Sequence, residues 1–400
     1  MKLDIADAAR YKVADFQKPD PIPRDGIQRV TELMLSGELF RYSNPDPKES
    51  DAYQLEQDFK RYTGQPYALA GNSCSSVMGL ALEALGVRSG DKILVPAFTF
   101  TAVPSAVVKL GASPVLVECD QNYKVDIDDL ARKITPETKF FLLSYMRGRI
   151  SDMDAIMQLS KENGISIIED CAHGVGGYWD GKMVGTFGVA ACYSFQSYKI
   201  LSAGEGGMVT TTNEEAFVRM LYLHGAYEEN YRKHFVESPF FEALANEVAL
   251  DNFRMTNAMA AMVRPQLPLI KDKARLYRKN YNYLIGLLED CPFIEIPEDD
   301  PREDRVLDSI QFRMPGFSPE QMRTFVALVK ERGIPLSGFG ADKNNARAPW
   351  NWKFLPEKQY LPQTQKWLET ACDLRLVSSL DDDMLSYIAD AITNAARKAS

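Results

Sequence analysis

The sequence predicts an α/β fold: a mostly parallel sheet with helices on both faces, plus a smaller α+β domain at the C-terminal end. Three observations carry this. Short apolar runs alternate with helical patterns from Tyr67 to Thr211, which is how parallel strands buried on both faces read. Small-residue turns stand where such strands hand over to helices. After the proline-bearing stretch around Gln266–Pro268 the order changes to a long helix followed by a mixture of strands and helices.

The elements follow in order. Residues 1–20 read as a lead-in arm. Helices are expected at Arg24–Ser36 and at Asp51–Thr63, where Tyr53, Leu55, Phe59 and Tyr62 interleave with charge. YALA (67–70) is a strand, GNSCSS (71–76) a turn, and VMGLALEALGV a helix. KILVPA (92–97), SPVLVEC (113–119), KFFLLSYM (139–146) and SIIED (166–170) are strands, with helices at Val103–Leu110, Ile127–Ile134 and DMDAIMQLSKENG between them. Gly164 closes that last helix as its C-cap. ACYSF (191–195) and GGMVTT (206–211) are further strands. Residues 227–250 show little periodicity. Beyond them come a helix over Lys271–Glu289, a strand SIQFRM (309–314) and a helix EQMRTFVALVKERG (320–333). The expected division is a large domain over 1–268 and a small one over 269–400.

Bulk properties bound the function. The 400 residues carry a net charge of −9, which argues against nucleic acid or an anionic membrane surface as partner. An anionic small ligand stays open, because a pocket can be locally positive. The cysteines Cys74, Cys119, Cys171, Cys192, Cys291 and Cys372 include no C-x-x-C pair and sit mostly in apolar runs. They read as reduced core residues of a cytoplasmic protein. His173, His224 and His234 are spread too thinly for a metal site. The opening MKLDIADAARYK has no apolar stretch of signal length, and no run reaches the roughly 20 apolar residues of a membrane span.

In an open α/β sheet, ligands bind beyond the carboxyl ends of the strands. Four features fall there. The turn GNSCSS lets backbone N–H groups approach a phosphate at a helix N-terminus; ordinary capping by Ser73 or Ser75 is the alternative. Asp170 ends a buried strand and needs a cationic or hydrogen-bonding partner. That partner is a protonated cofactor nitrogen or the next segment's backbone, and His173 could share the pocket. The run S-F-Q-S-Y-K-I-L-S-A-G-E-G-G (194–207) sets Lys199 between an apolar strand and a glycine-rich turn. Partial burial there would make its amine nucleophilic; a surface lysine on a loop is the alternative. Asn252 and Arg254 in N-F-R-M (252–255) offer fixed donors, or simply a solvated turn.

Taken together, GNSCSS, VPAFTFTAVPSAVVKLGASPVLVECD, IIEDCAHGVGGYWDGKMVGTFG, ACYSFQSYKILSAGEGGMVTT and NFRMTNAMAAMVRPQL occur in an order that resembles the DegT/DnrJ/EryC1/StrS sugar aminotransferases of fold type I. The resemblance covers residues 35–270 well and the rest loosely. It implies pyridoxal 5'-phosphate as cofactor, with Lys199 as the Schiff-base lysine and Asp170 on the pyridinium nitrogen. It also implies His173 at the ring or its phenolic oxygen, Phe100 on the ring face, and Ser73, Cys74 and Ser194 at the phosphate. Asn252 resembles an asparagine that reaches the neighbouring subunit's phosphate, which implies a homodimer with shared active sites.

The chain departs from the family where members often read H-L-Y-G-Q-x-x-D-M-D and this one reads Y-M-R-G-R-I-S-D-M-D (145–154). Tyr145 replaces a histidine, and Arg147 and Arg149 add charge. One arginine is expected to meet an anionic substrate group; a salt bridge to Asp152 or Asp154 is the alternative. The aromatics of segment 338–352 either line the acceptor site or pack the small domain. The implied reaction is ping-pong transamination from glutamate or glutamine to a keto-sugar or related oxo compound, with Lys199 shuttling the proton. The rivals are a dehydratase of the same family and a non-catalytic regulatory protein. Dehydratase members have histidine at the lysine position, so Lys199 argues against the first; lysine, aspartate and phosphate turn retained together argue against the second.

Overall fold

The computed structural model describes residues 10–400, so the first half of the expected lead-in arm lies outside the described residues. The strands are β1 (Tyr67–Gly71), β2 (Lys92–Pro96), β3 (Ser113–Val117), β4 (Phe140–Ser144), β5 (Ser166–Asp170), β6 (Tyr178–Trp179), β7 (Lys182–Met183), β8 (Ala190–Ser194), β9 (Gly207–Thr211), β10 (Glu303–Asp304), β11 (Ser309–Arg313), β12 (Ser337–Gly338) and β13 (Ala371–Arg375). Seven of them form one sheet in the order β1-β9-β8-β5-β4-β2-β3. Within it only β9 runs against its neighbours.

Side-chain alternation splits this sheet into two faces. Leu69, Ile93, Val95, Leu142, Ile168, Cys192 and Val209 pack into one buried cluster. Their neighbours Ala68, Ala70, Leu94, Phe141, Leu143, Ile167, Ala191, Tyr193 and Met208 pack into another on the opposite face. Burial on both sides explains why strands such as FFLLS are apolar without a break. A third cluster surrounds the antiparallel sheet β11-β13-β12 and draws on the helices Pro319–Glu331 and Asp382–Ala399. Phe16, from the segment read as a lead-in arm to the large domain, belongs to this third cluster and stacks on Tyr387. The expected division at 268 falls inside the turn Arg264–Leu269, which runs straight into the helix Ile270–Leu288. That helix serves both cores: Ile270 and Tyr277 enter the second cluster, and Tyr281, Leu284 and Leu288 the third.

Element ends follow local chemistry. The helix expected from Val77 begins at Cys74, because Ser73 accepts the Ser76 N–H as N-cap. The helix Met153–Asn163 is capped by Asp152 and closes at Gly164, whose φ of 65° suits a residue without Cβ. The strand expected to reach Met146 stops at Ser144, because Arg147 turns the chain with φ 57°. The aperiodic stretch holds a turn at Glu228–His234 and a short helix at Phe240–Leu244. All six cysteines are buried and free. Among the described residues no helix is long and apolar enough to cross a membrane.

Glu169, one residue before the strand end, faces the second cluster and is fully buried. It accepts hydrogen bonds from the Tyr145 hydroxyl at 2.6 Å and from the N–H groups of Gly185, Phe187 and Gly188 at 2.7, 2.8 and 2.6 Å. This ties the loop after β7 to the sheet. Glu169→Ala strands four buried donors and is expected to lower unfolding free energy by at least about 3 kcal/mol, against about 2 kcal/mol for Tyr145→Phe. Urea unfolding measures both; equal and small losses would contradict the assignment.

Candidate active site

Sheet register builds the site. Parallel pairing sets Ser144 beside Asp170 and Asp170 beside Cys192. Antiparallel pairing sets Ser194 opposite Gly207 and Gly207 opposite Gly71. These two rows lie two residues apart near the carboxyl ends of β4, β5 and β8, where an open α/β sheet binds ligands. A cavity of about 1020 Å³ opens there. Ser73, Cys74, Phe100, Arg147, Asp170, His173, Ser194 and Lys199 all line it.

Asp170 is buried. Its Oδ2 accepts from the Ser144 hydroxyl at 2.7 Å and its Oδ1 from the Ala172 N–H at 3.1 Å. Burial raises its carboxyl above the ordinary range; Ser144, Ala172 and the Lys199 charge pull the other way. Lys199 follows the tight turn after β8 and points back at His173, with Nζ 2.8 Å from Nε2. Burial, then the Arg147 charge, lowers the Lys199 ammonium to about 8. His173 is held neutral, its value pushed down to about 3 by burial and then by Lys199. Its Nδ1 stands 3.4 Å from Asp308 Oδ2. A neutral ring donating from Nδ1 to Asp308 presents Nε2 as acceptor to the lysine. Burial would raise the Asp308 carboxyl, but the His173 hydrogen bond, with the Arg375 and Arg147 charges, holds it well below the usual range.

The small-residue turn at 71–76 is packed from behind. A Cβ on Gly207 would fall 2.5 Å from the Ser73 carbonyl carbon and 2.6 Å from the Cys74 nitrogen. The Ala70 N–H reaches buried Glu56 at 2.9 Å, and Glu56 pairs with buried Arg41 at 2.9 Å. From the other side, Asn72 donates its backbone N–H to Phe253 at 2.7 Å and its side-chain amide to the Asn252 carbonyl at 3.3 Å. Ser73 both caps the helix and lines the cavity. Phe100 leaves about half its surface free at the cavity.

Three expected residues stand elsewhere. Tyr145 is buried on the opposite face against Glu169. Strand parity puts it there, since Ser144 faces the cavity. Arg149 is buried against Asp299 at 2.8 Å beside Arg305, away from the cavity wall. Asn252 is exposed and does not line the cavity of its own chain. Neither arginine pairs with Asp152 or Asp154; Arg302 takes both. In segment 338–352 the cavity wall is polar, Lys343 to Arg347, whereas Trp352 packs into the first cluster of the large sheet. Asp308, Arg347, Asp373 and Arg375 were not singled out from the sequence. Asp308 stood visible as a carboxylate at the start of a strand; the others have no local signal.

A half-buried amine that gives up its proton more readily than usual, beside a buried carboxylate and a capped helix N-terminus, is equipment for carbonyl–amine chemistry on an anionic ligand. Comparison with known proteins agrees. The model of the DegT/DnrJ/EryC1/StrS aminotransferase family matches residues 24–393. The chain belongs to that family and is an aminotransferase of fold type I. Its relatives include 3-amino-5-hydroxybenzoate synthase of Amycolatopsis mediterranei, 30% identical over 79% of this chain and 78% of that protein. The spore coat polysaccharide biosynthesis protein SpsC of Bacillus subtilis is 28% identical over 94% and 96%. Among solved structures, a 3-amino-5-hydroxybenzoic acid synthase superposes with TM-score 0.81 at 25% identity, over 96% of this chain and 99% of that one.

The Lys199 environment makes a testable statement. Because the ammonium value is lowered, the neutral nucleophilic amine predominates above about pH 8. Acylation of Lys199 in cofactor-free protein, followed by mass spectrometry, is expected to accelerate through that pH. Arg147→Gln should move the inflection upward. An inflection at the ordinary 10.5 in the unaltered protein would contradict the burial argument.

Proposed function

We propose that this aminotransferase carries pyridoxal 5'-phosphate on Lys199 and moves an amino group from glutamate or glutamine to a keto-sugar or a related cyclic oxo compound. The observation that carries this reading is the buried Asp170 and the half-buried Lys199–His173 contact on one cavity wall. The donor set fits the cofactor. Asp170 has only neutral hydrogen-bond donors, so its raised carboxyl is suited to a protonated ring nitrogen. Ser73, Cys74 and Ser194 line the same cavity at the N-terminus of the helix Cys74–Ala84, which suits a phosphate. Phe100 offers a face for the ring.

When bound, the cofactor supplies an electron-poor ring that takes up the electron pair left as a proton leaves the amine-bearing carbon. Asp170 keeps the ring nitrogen protonated. Lys199, once its amine is free, is neutral near pH 8 and can take that proton and return it. His173, fixed by Asp308, would hold the lysine amine in place while that amine is free. The exposed Asn252 is assigned to the phosphate of a second copy, in a homodimer with shared sites.

Borohydride reduction of the holoenzyme is expected to fix the cofactor to the Lys199 peptide and abolish the visible absorbance band. Lys199→Ala should escape fixation and lose about 10²–10⁴-fold in turnover; undiminished turnover would sink the reading. Gly207→Ala, by pushing the Ser73–Cys74 turn forward, should raise the dissociation constant for pyridoxal phosphate by about tenfold or more. Fluorescence titration reads it, and an unchanged constant would remove the turn from the phosphate site.

A further inference from the structure

Arg147 is shaped more elaborately than a surface ion pair needs. Its φ of 57° and ψ of 28° lie in the left-handed region, which a non-glycine residue enters only under constraint. Gly148 follows with φ 74°, and a Cβ there would fall 2.8 Å from the Val306 carbonyl oxygen. This turn brings the guanidinium to the cavity wall, where its Nη2 meets Asp373 Oδ2 while its buried Nε has no partner. Arg347 brings its Nη1 to the same oxygen. Its other N–H groups are fixed by Ser337 at 2.9 Å and Asn345 at 3.2 Å, and its guanidinium lies over the Phe339 ring. The second Asp373 oxygen accepts from Gln311 at 3.0 Å. Two guanidinium groups thus share one carboxylate oxygen, so Asp373 by itself balances only one of their two charges.

This corner lies at the reacting end of the cavity. The Arg147 charge is close enough to act on Lys199, His173 and Asp308. We propose that Arg147 and Arg347, held apart and ready by Asp373, form the binding site for a substrate carboxylate. A carboxylate completes the charge and accepts charge-assisted hydrogen bonds from a planar donor fork. Asp373 is the resident counter-ion: it orders the arginines between substrates and, by its own charge, tempers the affinity. A neutral oxo-sugar would leave the extra charge unanswered. The proposal rests on the transamination reading above. In a ping-pong reaction donor and acceptor visit one cavity, so the carboxylate comes from the amino acid donor, from an acidic acceptor, or from both.

Half-reactions of the holoenzyme, followed by cofactor absorbance, separate half-saturation from limiting rate. The first arm compares L-glutamate with its α-carboxamide, L-isoglutamine. The second compares a ring amine bearing a carboxylate with its carboxamide, run in the reverse direction. In at least one arm Arg147→Gln and Arg347→Gln should raise half-saturation by the acid at least about tenfold, raise the amide's value far less, and keep the absorbance band. Arg347→Lys should recover part of the loss. Asp373→Asn should lower half-saturation by the acid, a change that a merely structural carboxylate would not produce. The arm in which the pattern appears identifies the source of the carboxylate. Should Arg147→Gln fail to fold, Arg347→Gln decides. The site is overturned if a cofactor-loaded Arg347→Gln protein half-saturates with both acids within about twofold of the unaltered enzyme. Wild-type protein with no cofactor band would instead overturn the transamination reading.

Discussion

Burying the Asp170 carboxylate at the end of a parallel strand sets a demand that much of the site meets. A charge in that position is costly unless donors surround it. The sheet supplies them through register, because Ser144 is the next-strand neighbour and Ala172 opens the following turn. The donors are neutral, so the carboxylate keeps an unmet preference for a cation. The same burial on the same wall brings Lys199 down to about 8. Low dielectric thus shifts both groups, the carboxyl upward and the ammonium downward.

Around this pair the structure keeps charges of different purpose apart. Arg147 and Arg149 are two residues apart in the chain and end in separate surroundings. The left-handed turn at Arg147 and the crowded glycine after it direct one to the cavity and bury the other beneath an exposed Asp299. Glu169 and Asp170 divide in the same way. The first is used up in tying the loop after β7 to the sheet, and the second faces the cavity.

Much of the site was legible because it is local. Lys199 on its turn, Asp170 at a strand end and Ser73 before a helix are each set by a strand or helix terminus that hydrophobic periodicity reveals. Tyr145 could have been placed by parity alone: with Asp170 and Ser144 paired on the cavity face, the next residue belongs to the other. Arg149 could not, since its partner Asp299 lies 150 residues away.

Periodicity and turn composition act over a few residues, and they were enough to read the family, the strand and helix order, and the residues at strand ends that line the cavity. The side chains that stand behind them could be read only from the folded chain. Asp308 behind His173, Gln311 and Asp373 under two arginines, and Arg347 reaching back from segment 338–352 all come from the far part of the chain. Their meeting depends on how the antiparallel sheet β11-β13-β12 and its helices present them at the cavity, and that is fixed by packing between distant segments, which no local pattern encodes.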